Sequence, residues 1–247
     1  MVLVLGGTTE AVQITNCLRE RGFSVYYSKA TAYPQKVKAD NEKKLTKAEL
    51  EKLVQDKQVK VIVDGTHPFA QKIKAVAREV CAAKKIAYIR YERPFAKVNL
   101  SNCFFAPTFA LAAQKAASLG KKILVLTGVN SLELIIAALK DKDVQLFARV
   151  LDWPASRAKA EKLLGKDRFV IGHPPFTLEQ NLALLARFQA EVMITKESGW
   201  QGGLQEKVQA AQLKKVPVVI VKRPLPVSEA VFSIKALLAK VEEVTNA

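Results

Sequence analysis

The chain has 247 residues, of which 49% are hydrophobic, with only 11 glycines and 10 prolines. That composition suits one large or two small packed domains and excludes disordered and fibrous classes. The net charge of +16 at pH 7 attracts anions, yet the lysines are scattered through KVKADNEKKLTK, AAKKIA, LGKKI, LKDKD and QLKKV, at helix ends and turns where a cation is solvated or favoured by the helix dipole.

Aromatic residues do not interleave with these lysines and no recognition motif appears, so a solvated surface is the leading reading, attraction of an acidic small molecule the second, and nucleic acid is not expected. No apolar stretch approaches the roughly 20 residues of a membrane span, and no basic segment precedes the first strand as a secretory signal would require. Cys17, Cys81 and Cys103 are odd in number and widely spaced, which supports neither a disulfide framework nor a metal cluster. A cytoplasmic protein is expected, as a monomer or weak homodimer, with no membrane partner and no metal.

Short Val/Ile-rich runs alternate with amphipathic segments along the chain. Strands are predicted at Val2–Leu5, Phe23–Tyr27, Val59–Asp64 and Ala87–Arg90, then at Ile123–Thr127, Val144–Ala148, Phe169–Ile171, Val192–Thr195 and Val218–Val221. Helices are predicted at Glu10–Arg21, Lys47–Gln55, Ala70–Lys84, Phe109–Ala117, Leu132–Leu139, Ser156–Leu164, Leu178–Phe188 and Leu204–Leu213. Strand alternating with helix argues for an α/β fold with parallel sheets, and continuous apolar strands argue that both sheet faces are covered. The alternation pauses after Arg93-Pro94-Phe95, through KVNLSNCFFAPT. The predicted organisation is an N-terminal α/β nucleotide-binding domain over 1–95 and a C-terminal α/β domain over 96–247, two Rossmann-like parallel-sheet domains facing each other across a ligand cleft. One continuous doubly wound sheet is the alternative.

Ligands of open α/β sheets gather beyond the carboxyl ends of strands, so the residues after each strand carry the functional reading. Behind the first strand stands Gly6-Gly7-Thr8-Thr9-Glu10. Set against G-x-G-x-x-G its key positions are Gly6, Thr8 and Ala11, so the fingerprint is incomplete. Gly6 and Gly7 still permit close backbone approach, and Thr8 or Thr9 can cap a helix whose first amides face a phosphate. A plain strand-to-helix turn explains the same residues. Behind the second strand, where a NAD site expects an acid for the ribose, stand Ser28 and Lys29, a pair better suited to a 2′-phosphate. The third strand ends in Asp64-Gly65-Thr66-His67-Pro68-Phe69, and His67 is one of only 2 histidines. Arg90 and Arg93 flank Glu92 and can grip carboxylates, or form a surface ion pair. In the second half, Thr127-Gly128, Gly172-His173 and Lys196-Glu197-Ser198-Gly199 close three further strands, the last running on to Gly202 and Gly203 as an anion-binding loop. No Walker A loop and no G-x-S-x-G elbow is present.

Taken in order, the segments LVLGGTTEA, DGTHPFA, IAYIRYERP, LTGVNSLE, FARVLDWP, IGHPPFTLEQN, ITKESGWQGGLQEKVQAA and VPVVIVKRP resemble the precorrin-6A and cobalt-precorrin-6A reductase family of corrin-ring biosynthesis. They span nearly the whole chain. The chain departs from the family at GHPPFT (172–177), which stands near a usual Q-G-P-F-S, and at Trp200-Gln201 within the glycine-rich loop. The resemblance implies a reductase that takes NADPH or NADH and reduces a ring double bond of a polycarboxylate tetrapyrrole. It implies Gly6, Gly7, Thr8, Thr9 and Glu10 at the pyrophosphate, Ser28 and Lys29 near the adenosine ribose, and Thr66, His67 and Phe69 at the nicotinamide. Arg90, Arg93, Thr127, Lys196, Ser198, Gly199 and Gly202 would hold substrate. His67, Lys196 and His173 are proton-donor candidates beside solvent water. Another nicotinamide-dependent reductase or epimerase, or a basic nucleotide- or tetrapyrrole-binding protein without catalysis, are the alternatives.

Overall fold

The computed structural model describes residues 1–95, 102–199, 202–225 and 230–246. They divide into two compact units, Met1–Pro94 with Pro224–Ala247, and Phe95–Arg223. The first unit contains β1 (Val2–Leu5), α1 (Thr9–Glu20), β2 (Val25–Ser28), α2 (Lys47–Asp56), β3 (Val61–Asp64), α3 (Gln71–Lys84) and β4 (Ala87–Arg90). Its sheet has the order β2-β1-β3-β4 and every pair is parallel. β1 and β3 are buried along their whole length, as the continuous apolar runs VLVL and VIVD require of central parallel strands.

The second unit runs β5 (Cys103–Ala106), α4 (Phe109–Ala117), β6 (Lys122–Val125), α5 (Leu132–Ala138), β7 (Gln145–Leu151), α6 (Pro154–Leu164), β8 (Phe169–Gly172), α7 (Leu178–Arg187), β9 (Val192–Lys196), α8 (Leu204–Leu213) and β10 (Val218–Val221). These strands form a separate parallel sheet in the order β5-β10-β9-β6-β7-β8. Thr108 caps α4 and Thr177 starts α7 with a capping box closed by Gln180. Two sheets, not one continuous sheet, are therefore built.

Three differences from the sequence reading bear on function. β5 lies within the stretch read as irregular; it is a short edge strand whose CFFA lacks the alternation that marks a strand, and 96–101 of that stretch lie outside the described residues. β7 extends to Leu151 and β9 to Lys196, which places Arg149 and Lys196 on strands. The third difference is the domain division. The reading kept 96–247 together, but the chain's last helix, α9 (Ile234–Asn246), belongs to the first unit. Glu92 N donates to the Val231 carbonyl and Val231 N to the Arg90 carbonyl, both at 2.8 Å. Leu237, Leu238 and Val241 then pack with Ile14, Leu18 and Tyr27 in one core, while α2 and α3 cover the opposite face through Leu50, Val54, Ala77 and Val80. α9 thus supplies the apolar stripe without which one side of that sheet would lie half bare. No helix among the described residues is long and apolar enough to cross a membrane.

Leu237 is fully buried, so Leu237→Ala should cost about 2–5 kcal/mol. All five tyrosines lie in the first unit, and urea unfolding followed by tyrosine absorbance should show the loss.

Candidate active site

The chain passes from β1 to β2 on one side and to β3 on the other, so the first sheet reverses its winding between β1 and β3. This is the point at which such sheets hold ligands. The loops leaving these two strands are tied together by Thr8. Its Oγ1 donates to the Gly65 carbonyl at 2.7 Å and accepts from the Ala11 amide at 3.1 Å, which caps α1. Gly6 is held close to Tyr27, where an added Cβ would lie 2.2 Å from the ring carbon Cε2. Gly7 adopts φ +103° and donates its amide to Tyr27 Oη at 3.1 Å. A Cβ on Gly7 would meet nothing within 4 Å. Above the turn is open space, and the amides of Thr9 and Glu10 precede the first helical hydrogen bond of α1, from Val12 to Thr8. Unsatisfied amides at a helix start beside an open glycine fit a pyrophosphate.

The loop after β3 is fixed from below. Asp64 is fully buried and its Oδ1 accepts from Thr66 N at 2.9 Å and Thr66 Oγ1 at 2.6 Å. Tyr88 Oη donates to Asp64 Oδ2 at 2.5 Å, and Arg90 Nη1 donates to Asp64 Oδ1 at 2.9 Å. Arg90 also pairs with Glu92 at 2.8 Å, and Glu92 with Lys74 at 3.2 Å. Burial, reinforced by Asp64, pushes the Tyr88 phenol far up, so it stays a donor. Burial first, and Arg90 second, pull Lys74 down. Over this network His67 Nδ1 accepts from the Phe69 amide at 3.2 Å, which places the ring proton on Nε2. The His67 and Phe69 rings lie 5.8 Å apart.

The same network reassigns several residues. Arg90, read as a substrate grip, is 3% exposed and spent on Asp64 and Glu92. Arg93 pairs with Glu10 at 2.6 Å, and both are buried. A carboxylate at a phosphate turn would repel its ligand; Arg93 neutralises Glu10, leaving the Glu10 amide as the useful group. Ser28 Oγ accepts from Asn41 at 2.9 Å. The Lys29 ammonium, only 3% exposed, holds the Tyr33 carbonyl at 2.6 Å and Glu42 at 3.0 Å. A 2′-phosphate would have to displace Glu42 to reach it.

In the second sheet β6-β7-β8 wind one way and β9-β10 the other, which places the reversal between β6 and β9. Thr127 stands past the end of β6, its Oγ1 2.6 Å from Ser131 Oγ, which donates to the Gly128 carbonyl at 2.9 Å. Behind β9, Ser198 N donates to the Lys196 carbonyl at 2.8 Å and Gly202 N to the Gly199 carbonyl at 3.1 Å. Ser198 Oγ donates to the Gly202 carbonyl at 3.2 Å, and Gly199 takes φ +74°. Trp200 and Gln201 lie outside the described residues. Burial lowers the Lys196 ammonium to about 8. Thr127, Lys196, Ser198, Gly199 and Gly202 therefore gather at one reversal, and Gly6 to Glu10 with Thr66, His67 and Phe69 at the other. His173 is apart from both, with a side chain 63% exposed and Nε2 3.1 Å from Asp152.

Sequence reasoning passed over two cations. Arg149 is 8% exposed, donates to Asn181 Oδ1 at 2.9 Å and lies 3.5 Å from the Phe176 ring centroid. Burial lowers it to about 10. Lys207 is 9% exposed, and its Nζ donates to the Gly202 carbonyl at 3.3 Å. Burial first, then Arg149 and Lys196, bring Lys207 to about 7 against the pull of Glu206. Each had a signal: Arg149 interrupts the apolar strand QLFARVL, and Lys207 shares the helical spacing of Leu204, Val208 and Ala211.

Two doubly wound parallel sheets, one opening on a glycine turn with free first-turn amides, define a two-unit α/β protein of Rossmann-like build. Residues 1–242 match the family model described as "Precorrin-6x reductase CbiJ/CobK", and the chain belongs to that family, a family of oxidoreductases. It is 34% identical to "Cobalt-precorrin-6A reductase" of Methanocaldococcus jannaschii over 90% of both chains. It is 32% identical to the protein of that name from Priestia megaterium over 91% of both chains, and 27% identical to "Precorrin-6A reductase" of Rhodobacter capsulatus over 90% of this chain and 88% of that one. The solved structure of "CobK precorrin-6A reductase" superposes with a TM-score of 0.80 at 26% identity, covering 98% of this chain and 96% of that one.

Arg90→Met leaves Asp64 and Glu92 buried without their shared cation and should cost about 3–5 kcal/mol in urea unfolding. A second expectation concerns pH. Lys207 binds its proton more weakly folded, near 7, than at its ordinary value of 10.5. Between those values the unfolded chain binds more protons, so stability rises with pH, by at most about 1.4 kcal/mol per unit for one lysine. Unfolding of the second unit, followed by tryptophan fluorescence from pH 7 to 10, should show that rise, and Lys207→Met should reduce it.

Proposed function

We propose that this protein reduces a ring double bond of cobalt-precorrin-6A with NADPH, in the cytoplasm, as a step of cobalamin biosynthesis. The observation that carries the nucleotide half of the reading is the open Gly7 turn beside the Thr9 and Glu10 amides at the winding reversal of the first sheet. Support for the cobalt-bearing ring comes from the relatives of that name, at 34% and 32% identity against 27% for the metal-free one. NADPH is preferred because β2 ends in Ser28 followed by Lys29, in place of the acidic residue that a free ribose diol takes at that strand end, with Glu42 on Lys29 as the group a 2′-phosphate would displace.

When bound, the dihydronicotinamide supplies a hydride to one carbon of the ring double bond. The amides of Thr9 and Glu10 hold the pyrophosphate, and Thr66, His67 and Phe69 border the nicotinamide. The adjacent ring carbon must take a proton. His67 carries its one ring proton on Nε2 while Nδ1 accepts from the Phe69 amide, so it can hand a proton on only as the imidazolium, once Nδ1 has exchanged that contact for a proton of its own. Lys196, lowered to about 8, is the second donor, poised near the operating pH as an efficient acid requires. Thr127, Ser198, Gly199 and Gly202 stand with Lys196 as contacts to the macrocycle.

The loss of nicotinamide absorbance in a mixture of NADPH and cobalt-precorrin-6A tests this directly, with metal-free precorrin-6A and NADH as the comparison arms. Gly7→Val, which fills the open space and strains a positive φ, should raise the KM for NADPH at least about tenfold. If Lys196 is the acid, kcat falls as pH rises through about 8, and Lys196→Gln is slower by about 10²–10⁴ with a flat profile. If His67 is the acid, His67→Ala shows that loss and Lys196→Gln does not. No nucleotide oxidation by wild-type protein with either ring would overturn the reading.

A further inference from the structure

Leu124, Phe147 and Met193 stand in register across β6, β7 and β9, and all face the core built with α7 and α8. Side chains alternate along a strand, so two residues further on Leu126, Arg149 and Thr195 face the same side. Lys207 comes down onto this edge from α8, whose Leu204 and Val208 belong to that core. Three buried groups therefore share this edge, Arg149 and Thr195 two strands apart with β6 between them, and among the described residues none of the three has an ionic partner or, for Thr195, any hydrogen-bond partner. Thr195 is fully buried, and its Oγ1 has no hydrogen-bond partner among the described residues. Among those residues no carboxylate lies within ion-pair distance of Arg149 or Lys207, and the acceptors they do have are the neutral oxygens of Asn181 and Gly202. The charged groups acting on Lys207 are Arg149 from β7, Lys196 from β9 and Glu206 from its own helix. Buried cations cost several kcal/mol each unless an anion compensates them. Arg149, alone of the three, also walls an open groove of about 280 Å³ between β8 and α7, beside Gly172, His173 and Phe176, so the edge opens to solvent at its Arg149 end.

We propose that Arg149, Thr195 and Lys207 form an oxyanion subsite of the second unit that takes one carboxylate side chain of the tetrapyrrole. The inference rests on the reductase reading for the identity of the ring. The guanidinium and ammonium supply charge, and the Thr195 hydroxyl supplies a directed donor, which gives the subsite a preference for a planar carboxylate seated at one position. A dinucleotide phosphate shares this chemistry and is the competing source. Binding of an anion restores the proton that burial weakens on Lys207, so binding near pH 8 takes up a proton.

The test uses uroporphyrin III, an unreactive tetrapyrrole bearing acetate and propionate side chains, with NADPH and inorganic phosphate as the other arms. In calorimetric titrations Lys207→Met and Arg149→Met should each weaken uroporphyrin binding about tenfold and leave NADPH binding within about twofold. Thr195→Val should weaken uroporphyrin in the same direction by less. Titration at pH 8 in two buffers of different ionisation enthalpy should show proton uptake in wild type and none in Lys207→Met. Lys207→Met should also unfold at higher urea than wild type, a gain that separates a binding role from a structural one. If Arg149→Met does not fold, the other two variants carry the test. No binding of uroporphyrin to wild type, or unchanged affinity in Lys207→Met, overturns the proposal. Weakened NADPH or phosphate binding with uroporphyrin unaffected assigns the cluster to the nucleotide and also overturns it. Failure of the reductase reading is a different result: uroporphyrin binds as expected, yet NADPH is not oxidised in the presence of cobalt-precorrin-6A.

Discussion

A carboxylate shut away from water must be neutralised where it lies, and the first unit is organised around that demand at Asp64. Arg90 arrives from the neighbouring strand in register, Asp64 opposite Arg90, and the ion pair is closed by Tyr88 and extended through Glu92 to Lys74. Asp64 in turn fixes Thr66, and Lys74 donates to the Pro68 carbonyl at 2.9 Å. The loop carrying His67 is thus held at both ends by charges that have no freedom to move. Such a network gives little net stability, since the desolvation of its members offsets most of their attraction. What it provides is position: a fixed seat for the loop that carries His67.

The second unit shows the opposite arrangement. Glu197 and Arg223 form a compensated pair near the end of β9, their side chains 8% and 1% exposed. Arg149 and Lys207 do not: their acceptors are neutral and their proton affinities fall. One edge therefore has its charges balanced internally and the other retains an excess of cation. A balanced network serves geometry, whereas a buried cation without an ionic partner recovers the cost of its burial either by losing its proton or from an outside anion.

This difference also marks what the sequence could disclose. The strand–helix alternation, the glycine turn after β1 and the DGTHPF loop were legible because each is a local pattern. The roles first given to Arg90, Arg93, Glu10 and Lys29 were not, because a charged residue's task depends on its partner. Arg93 finds Glu10 at a separation of 83 residues, and nothing near either one announces it. Lys207 was hidden for a converse reason: an isolated lysine on an apolar helical face reads as an irregularity until the strand beneath it is known. α9 shows the same limit at the level of the fold. Its stripe of Leu237, Leu238 and Val241 requires a sheet to cover, but periodicity does not say which sheet.

The net charge of +16 is best divided along these lines. Many of its cations are exposed and either solvated or loosely paired, such as Lys121 with Asp143 and Lys47 with Glu79. Groups of that kind raise the encounter rate with a polyanion, and salt screens the effect within about 10 Å. They cannot distinguish one polyanion from another. Discrimination needs charge in a dry place with a directed hydrogen-bond donor beside it, where a misplaced carboxylate forfeits the whole compensation. In the second unit that description fits the edge that carries Arg149, Thr195 and Lys207, so the composition that first suggested an anionic partner and the cluster that would select it act at different ranges.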